Sequence, residues 1–309
     1  MEKVTIIIPT MNEEQSISQV VKGVRQVMGE YGIDYEVLVI DDGSSDNTGV
    51  VAREAGARVI RHAYNMGNGA AVKTGIRNAT GDVILMMDGD GQHDPADIPR
   101  LLAKIHLHGM VVGARMKGSQ TDWYRNVANT VYNLLASYIC GRSIPDLTSG
   151  FRAIHASLAR QFVNLLPNTF SYPTTLTLAV VHEGHSVEYV PIMVARRIGK
   201  SKIKLIRDGS RFLMIIFKIA TLFSPLKVFL PISLCTAGLG IAWYLLNLLA
   251  YGPRFPPASV VMILAGLLLF MMGLISEQIA QLRYDRGGNV CSYVELPRDT
   301  PSSECGEKP

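Results

Sequence analysis

A doubly wound α/β layer on a mostly parallel sheet, followed by a two-helix membrane hairpin, is the architecture this sequence predicts. Three observations carry it. Strand-like and helix-like segments alternate through the first hundred residues, polar clusters follow the strand ends, and two long uncharged runs lie towards the C-terminus.

The strand candidates are 4-VTIIIP-9, 36-EVLVID-41, 58-RVIRH-62 and 82-DVILMMD-88, each a short apolar run rich in β-branched residues. Helix-like stretches lie between them, near Glu13–Met28, Asp46–Ala55 and Gly69–Ala79. Sheets of this kind take their ligands beyond the carboxyl ends of the strands. There the sequence places 10-TMNEE-14, 41-DDGSSD-46, 64-YNMGNGA-70 and 88-DGDGQHD-94, which predicts one shared site. After Gly113 the pattern weakens. A helix-like segment, 121-TDWYRNVANTVYNLLASYICG-141, sets Arg125, Asn129 and Asn133 four residues apart, and an extended stretch returns at 187-VEYVPIMV-194.

No charged residue occurs from Val228 to Pro253, nor from Phe255 to Ser276. Each run exceeds the roughly 20 apolar residues that cross a bilayer core as a helix. Only 250-AYGPRFPP-257 separates them, so they read as a tight hairpin with both outer ends on one side. Lys218, Lys227, Arg283 and Arg286 flank those ends whereas Arg254 stands alone in the turn, which puts the N-terminal part and the tail in the cytoplasm. Eight Lys or Arg lie between Arg196 and Lys218 against the single acid Asp208. Beside two spans, such a cluster points to anionic lipid headgroups rather than nucleic acid. The following 203-IKLIRDGSRFLMIIFKIATLF-223 is amphipathic and suits the membrane interface. The chain enters a strand almost at once, so no signal peptide is expected. The four cysteines, at 140, 235, 291 and 305, lack metal or disulfide spacing and read as inert thiols.

The expected organisation is then a catalytic domain over residues 1–200, with an interfacial helix near 121–140. A basic juxtamembrane segment over 201–226, spans near 228–250 and 257–279, and a poorly ordered tail over 283–309 complete it.

Asp88 and Asp90 flank one glycine directly behind an apolar strand. Two carboxylates so placed repel, and a divalent cation with a preference for hard oxygen removes the conflict. Gln92 offers a further oxygen on the same turn. Mg2+ and Mn2+ fit that donor set, and such ions commonly share their coordination with phosphate oxygens. Asp and Gly are also ordinary turn residues, so the motif alone is a weak signal and reads first as a solvated turn. Asp42 lies before its turn and can accept from ribose hydroxyls or a base N–H. Ser44, Ser45 and Asp46 serve either a ligand or a helix N-cap. The run 67-GNGAAV-72 lacks the third glycine of a dinucleotide fingerprint, which disfavours a nicotinamide enzyme. Arg115, Arg125, Arg152 and Arg196 are candidates for bidentate phosphate contacts.

Taken together, 9-PTMNEE-14, 40-IDDGSSDNT-48, 65-NMGNGAAVKTG-75 and 88-DGDGQHDP-95 resemble the inverting family 2 glycosyltransferases, whose domain has the Rossmann-like GT-A fold. The later 113-GAR-115, 148-TSGFR-152 and 196-RRIGKSK-202 narrow the resemblance to polyprenyl-phosphate glycosyltransferases, the group containing dolichol-phosphate mannose synthase and undecaprenyl-phosphate glycosyltransferases. It covers about residues 3–225, and the hairpin matches the group's two-span members. The resemblance implies that Pro9, Asn12, Glu13 and Asp42 line the nucleotide pocket. It implies Asp88, Asp90 and Gln92 as the metal motif, with Asp88 also near the ribose or sugar. Arg115, Arg125 and Arg196 would handle the donor and acceptor phosphates, and Asn129, Arg152 and Lys202 fall among the lipid-phosphate positions. Met11 departs from the Tyr of many relatives, and Gly91 from the larger apolar residue frequent in mannose synthases.

The expected reaction is inverting transfer of one sugar from a UDP- or GDP-sugar to undecaprenyl or dolichyl phosphate. A phosphate oxygen is already anionic at neutral pH, so no strong general base is needed. His93 therefore reads as a supporting turn residue. A processive polysaccharide synthase would carry Q-x-x-R-W and more spans, neither of which occurs. A non-catalytic nucleotide-sugar-binding scaffold is the third reading, set against the intact Asp88, Asp90 and arginines. The sequence leaves a homo-oligomer open.

Overall fold

The computed structural model describes residues 3–116, 130, 133–138, 140–169, 171–194, 221, 224–253 and 256–285. Its order begins β1 (Val4–Thr10), α1 (Ile17–Tyr31), β2 (Tyr35–Asp41), α2 (Thr48–Glu54), β3 (Arg58–Arg61), α3 (Asn68–Asn78) and β4 (Val83–Met86). It continues with α4 (Ile98–Ile105), β5 (Met110–Arg115), β6 (Arg152–His155), α5 (Ala156–Phe162), α6 (Tyr172–His182) and β7 (Val187–Ile192). The last two elements are α7 (Pro225–Tyr251) and α8 (Pro257–Asp285).

The strands form one seven-stranded sheet in the order β3-β2-β1-β4-β6-β5-β7. β1 pairs in parallel with β2 and β4, β2 with β3, and β5 with β7, while β6 runs antiparallel to both β4 and β5. All four expected strands of the first hundred residues are present, and the stretch from Val187 becomes β7. The sequence reading did not assign β5 or β6. β6 has only four residues and opens with an arginine, so no period can be read from it.

The central strands are buried on both faces, which is why 4-VTIIIPT-10 and 83-VILM-86 are continuous rather than alternating in hydrophobicity. α1 covers one face with Ile17, Val20, Val21, Val24 and Met28, the i, i+3, i+4, i+7 spacing of a single helical stripe. Fully burying side chains of this size contributes about 1.5–3 kcal/mol each. α1 stops at Gly32, whose left-handed φ of 70° lets its N–H return to the Met28 carbonyl. It begins four residues later than the polar loop suggested. Asn12 takes a positive φ of 53°, and the N–H groups of Ser16 and Ile17 both donate to the Glu13 carbonyl. The chain therefore turns at 11–16 before it can coil.

Two compact units are distinguished, Met1–Pro231 and Ile232–Pro309. α7 and α8 are each long and apolar enough to cross a membrane. Large side chains such as Leu249 and Leu268 stay exposed along them, as expected of faces whose solvent is lipid. Within the second unit the helices approach through small residues. A Cβ at Gly266 would lie 2.8 Å from that of Ala237, and one at Gly240 would lie 2.9 Å from that of Met262. Of the expected interfacial helix, 133–138 are helical. Arg125, Asn129, Arg196, Lys202 and nearly all of the basic segment lie outside the described residues.

Candidate active site

The loops that leave β1, β2, β3 and β4 are joined by side chains rather than merely adjacent. Ser44 Oγ accepts the Asn12 N–H at 3.0 Å, and Asn12 Oδ1 accepts the Ser45 N–H at 2.8 Å. Thr48 Oγ1 accepts the Glu13 N–H at 2.9 Å. Ser16 Oγ donates to the Gly89 carbonyl at 2.8 Å, which ties the start of α1 to the Asp-x-Asp turn. Gly89 has no room for a side chain, since a Cβ there would stand 2.6 Å from Thr10 Cγ2. Pro9 is buried in β1 opposite Ile40, directly before the 10–14 loop.

Asp90 is 8% exposed and its Oδ1 accepts the Gln92 N–H at 3.1 Å, while Asp88 is half-buried. The 148–151 loop lies on Asp88 so closely that a Cβ at Gly150 would be 2.8 Å from Asp88 Oδ2. Among the described residues no third acidic, His or Cys side chain completes a metal cluster. Two carboxylates and an amide oxygen on one turn form a hard, incomplete donor set. It suits a cation that shares its remaining positions with water and phosphate, so these residues fit Mg2+ or Mn2+.

Arg115 is held by Asp146, which the sequence reading missed. Asp146 Oδ2 accepts from Arg115 Nε at 2.8 Å and from its backbone N–H at 3.1 Å, and Oδ1 accepts from Nη2 at 2.9 Å. Asp146 Oδ1 also accepts the N–H groups of Thr148 and Ser149. Burial opposes both charges. For Arg115 the hydrogen bonds and charge of Asp146 outweigh it and raise the guanidinium above its ordinary value, with Asp88 adding to the effect. For Asp146, Arg115 and the loop N–H groups hold the carboxyl below the usual range. The sequence signal was 146-DLTS-149, an Asp whose carboxylate caps the N–H groups two and three residues on.

His93 is buried and stacks on Phe151, ring centroids 5.2 Å apart and planes inclined by 18°. Its Nδ1 has no hydrogen-bond partner, and burial pushes the imidazole down to about 4 despite the opposing charge of Asp90. At neutral pH the ring is uncharged packing between the metal-motif turn and the 148–151 loop.

One placement corrects the expectations and a second adds to them. Arg152 was expected to hold a lipid phosphate, but it is 0% exposed. Its guanidinium donates to the carbonyls of Ser149 and Pro173 and, at 3.1 Å, to Thr177 Oγ1. Burial lowers its affinity for the proton, with Asp146 and Asp88 among the charges that oppose the shift. It anchors the 148–151 loop to α6. Asp42 was expected to accept from ribose or base. It is buried, and both carboxylate oxygens already accept from protein donors: His62, Met66 N–H and Gly67 N–H. Those bonds tie Asp42 to the 62–67 loop, and Oδ2, with one protein donor, keeps a lone pair open.

A sequence model of Glycosyl transferase family 2 matches residues 5–162, and one described as the GtrB C-terminal hairpin matches residues 224–282. The fold is similar to glucosyl-3-phosphoglycerate synthase from Mycobacterium tuberculosis in complex with phosphoglyceric acid. Identity is 18%, covering 71% of this chain and 80% of that one, with a TM-score of 0.59. The same synthase with Mn2+, UDP and glucosyl-3-phosphoglycerate superposes with 18% identity, 71% and 80% coverage and a TM-score of 0.59. A structure described as a mycobacterial protein follows at 17% identity, covering 71% and 73%, with a TM-score of 0.54. These likenesses identify the fold as GT-A-like.

Proposed function

The chain belongs to glycosyl transferase family 2, and from that premise we propose that it transfers one sugar from a nucleotide-sugar to a polyprenyl phosphate, with inversion, at the cytoplasmic membrane face. The observation that carries this reading is the pairing, in one chain, of a glycosyltransferase domain with a GtrB-type hairpin. A glycosyltransferase that acted only on soluble acceptors would gain nothing from two spans. A lipid phosphate, by contrast, is confined to the bilayer surface.

Asp88, Asp90 and Gln92 would hold Mg2+ or Mn2+, which when bound stabilises the diphosphate that leaves. A synthase of the same fold seen with Mn2+ and UDP supports that assignment and a nucleoside diphosphate donor. The remaining chemistry belongs to the chain. The acceptor oxygen is anionic at neutral pH and attacks the anomeric carbon opposite the departing diphosphate, whose bond to that carbon breaks. No side chain has to remove a proton. Accordingly His93, the imidazole beside the motif, is buried and pushed down to about 4, too weak a base for such a role near neutral pH. Arg115 supplies a fixed positive charge at the end of β5, oriented by Asp146 before any substrate arrives. Arg125, Asn129, Arg196 and Lys202 keep the phosphate-handling roles that the family resemblance implies.

The test uses the purified full chain with Mg2+ or Mn2+, a polyprenyl phosphate, and a panel of UDP- and GDP-sugars. Nucleoside diphosphate release that depends on both one donor and the lipid is expected, with a glycolipid as product. Release of no diphosphate from any donor would remove the proposal. Binding without turnover throughout the panel would favour the scaffold reading. Sidedness is read separately, by protease access to the N-terminal domain in sealed inverted vesicles.

A further inference from the structure

Asp42, His62 and Thr74 form a hydrogen-bonded chain that the chemistry described above does not use. Asp42 Oδ1 lies 2.7 Å from His62 Nδ1, and His62 Nε2 lies 2.9 Å from Thr74 Oγ1. The carboxylate accepts only, so Nδ1 carries the hydrogen of that bond, and Nε2 pairs with the Thr74 hydroxyl. The side chains of His62 and Asp42 are 8% and 5% exposed. The same carboxylate accepts the N–H groups of Met66 at 2.9 Å and Gly67 at 2.8 Å. One buried anion thus binds the end of β2 to the loop after β3, and His62 connects that anion to the middle of α3.

The loop so held also rests on close backbone packing and on the bond from Asn65 Nδ2 to Met11 Sδ. Gly67 takes a φ of 102° and presses on the Asn168 carbonyl, where a Cβ would stand only 2.2 Å away. No side chain fits at Gly67, and Tyr64 and Met66 project from the loop exposed. Across it, Gly43 is packed so tightly that a Cβ would lie 2.6 Å from the Tyr64 carbonyl carbon. The loops after β1 and β2, joined through Asn12, Ser44 and Ser45, and the loop after β3 accordingly share one anchor.

We infer that His62 and Thr74 are positioning residues for the nucleoside diphosphate end of the donor, acting through Asp42 to fix the 64–67 loop on which that end rests. The inference deepens the proposed function and rests on it. A bond that sets a loop before the donor arrives contributes to ground-state binding. Its loss should raise donor KM and leave kcat in place.

Four variants separate this from a purely structural role. His62→Asn keeps an N–H near the position of Nδ1 and so retains Asp42 while losing Thr74. His62→Gln reaches towards Thr74 and loses Asp42. His62→Phe fills the ring space with neither bond, and Thr74→Val conserves volume without the hydroxyl. Donor KM by steady-state turnover, and Kd for UDP and GDP by calorimetry, are measured on the full chain. Loss of the bond to the carboxylate in His62→Gln and His62→Phe is expected to raise both constants about tenfold. Thr74→Val should raise them about threefold, His62→Asn should recover most of the loss, and kcat should stay within about twofold throughout. If His62→Phe does not fold, Thr74→Val and the Asn–Gln pair decide the matter. Unchanged KM and Kd in His62→Gln and Thr74→Val overturn the inference, as does a fall in kcat at constant KM. A wild-type chain that binds neither UDP nor GDP overturns the proposed function together with it; wild-type binding with insensitive variants overturns the inference alone.

Discussion

Replacing Asp146 by Asn removes one negative charge from a buried pair while preserving its shape, and the cost can be worked from the contacts. The carboxylate accepts three N–H groups of Arg115, at 2.8, 2.9 and 3.1 Å, and two more from Thr148 and Ser149, each at 3.1 Å. The side chains are 23% and 8% exposed, so the pair sits between two known regimes. Exposed pairs contribute about 0–1 kcal/mol, and breaking fully buried pairs costs about 3–5 kcal/mol. Asp146→Asn should therefore cost about 3 kcal/mol, or roughly 6–12 °C in Tm for a domain of this size. A double-mutant cycle with Arg115→Gln isolates the pair, and the coupling should be about 2 kcal/mol. The assay is thermal unfolding of the detergent-solubilised chain near pH 7.5. The sign with pH is set by Asp146, whose folded-state carboxyl is held below its ordinary 3.8. The pair's contribution is complete above that ordinary value and is lost as pH falls through the lower, folded-state one. Additive single mutants, with coupling under about 0.5 kcal/mol, would show that Arg115 is not held in this way.

Three further outcomes are expected. His93 has a folded-state pKa of about 4 against an ordinary 6.5, so the unfolded chain binds the extra proton between those values. Wild-type stability should thus fall as pH drops from 6.5 to 4, by about 3 kcal/mol relative to His93→Phe, and not above 6.5; parallel Tm–pH curves for the two proteins would refute it. Asp90→Ala should abolish turnover and weaken Mn2+ binding while leaving the far-UV spectrum and membrane association unchanged, and wild-type-like activity would remove the metal assignment. Gly266→Ile forces a branched side chain where a Cβ alone would stand 2.8 Å from Ala237. The hairpin should lose about 1–3 kcal/mol from overpacking, read as faster proteolysis within the spans' connecting turn.

Much of this was legible along the chain. The α/β alternation, the polar strand-end loops and the hairpin are patterns of period 2, period 3.6 or plain length, each expressed within a few residues of itself. Asp88, Asp90 and Gln92 could be proposed for the same reason, since all three sit on one turn. Even the missed Asp146 left a local trace in its Asx turn. By contrast β6 left none, because four residues are too few to show a period and its antiparallel direction depends on where the chain returns to the sheet.

What only the tertiary structure decided is which polar groups are already spoken for. By sequence, Arg152 and Asp42 looked like ligand-binding residues. Packing gave Arg152 partners 21 and 25 residues away in Pro173 and Thr177, and gave Asp42 partners 20 to 25 residues away in His62, Met66 and Gly67. A side chain's residue type fixes what it can bond, and local pattern fixes the element that carries it. Which bond it makes follows from burial, because a desolvated charge must be satisfied by whatever donors or acceptors the fold brings within 3 Å or so. The sequence by itself therefore determined the sheet's central strands, the two long apolar helices and the chemistry offered at the strand ends, while the fold determined which of those groups bond to one another and hold the loops together.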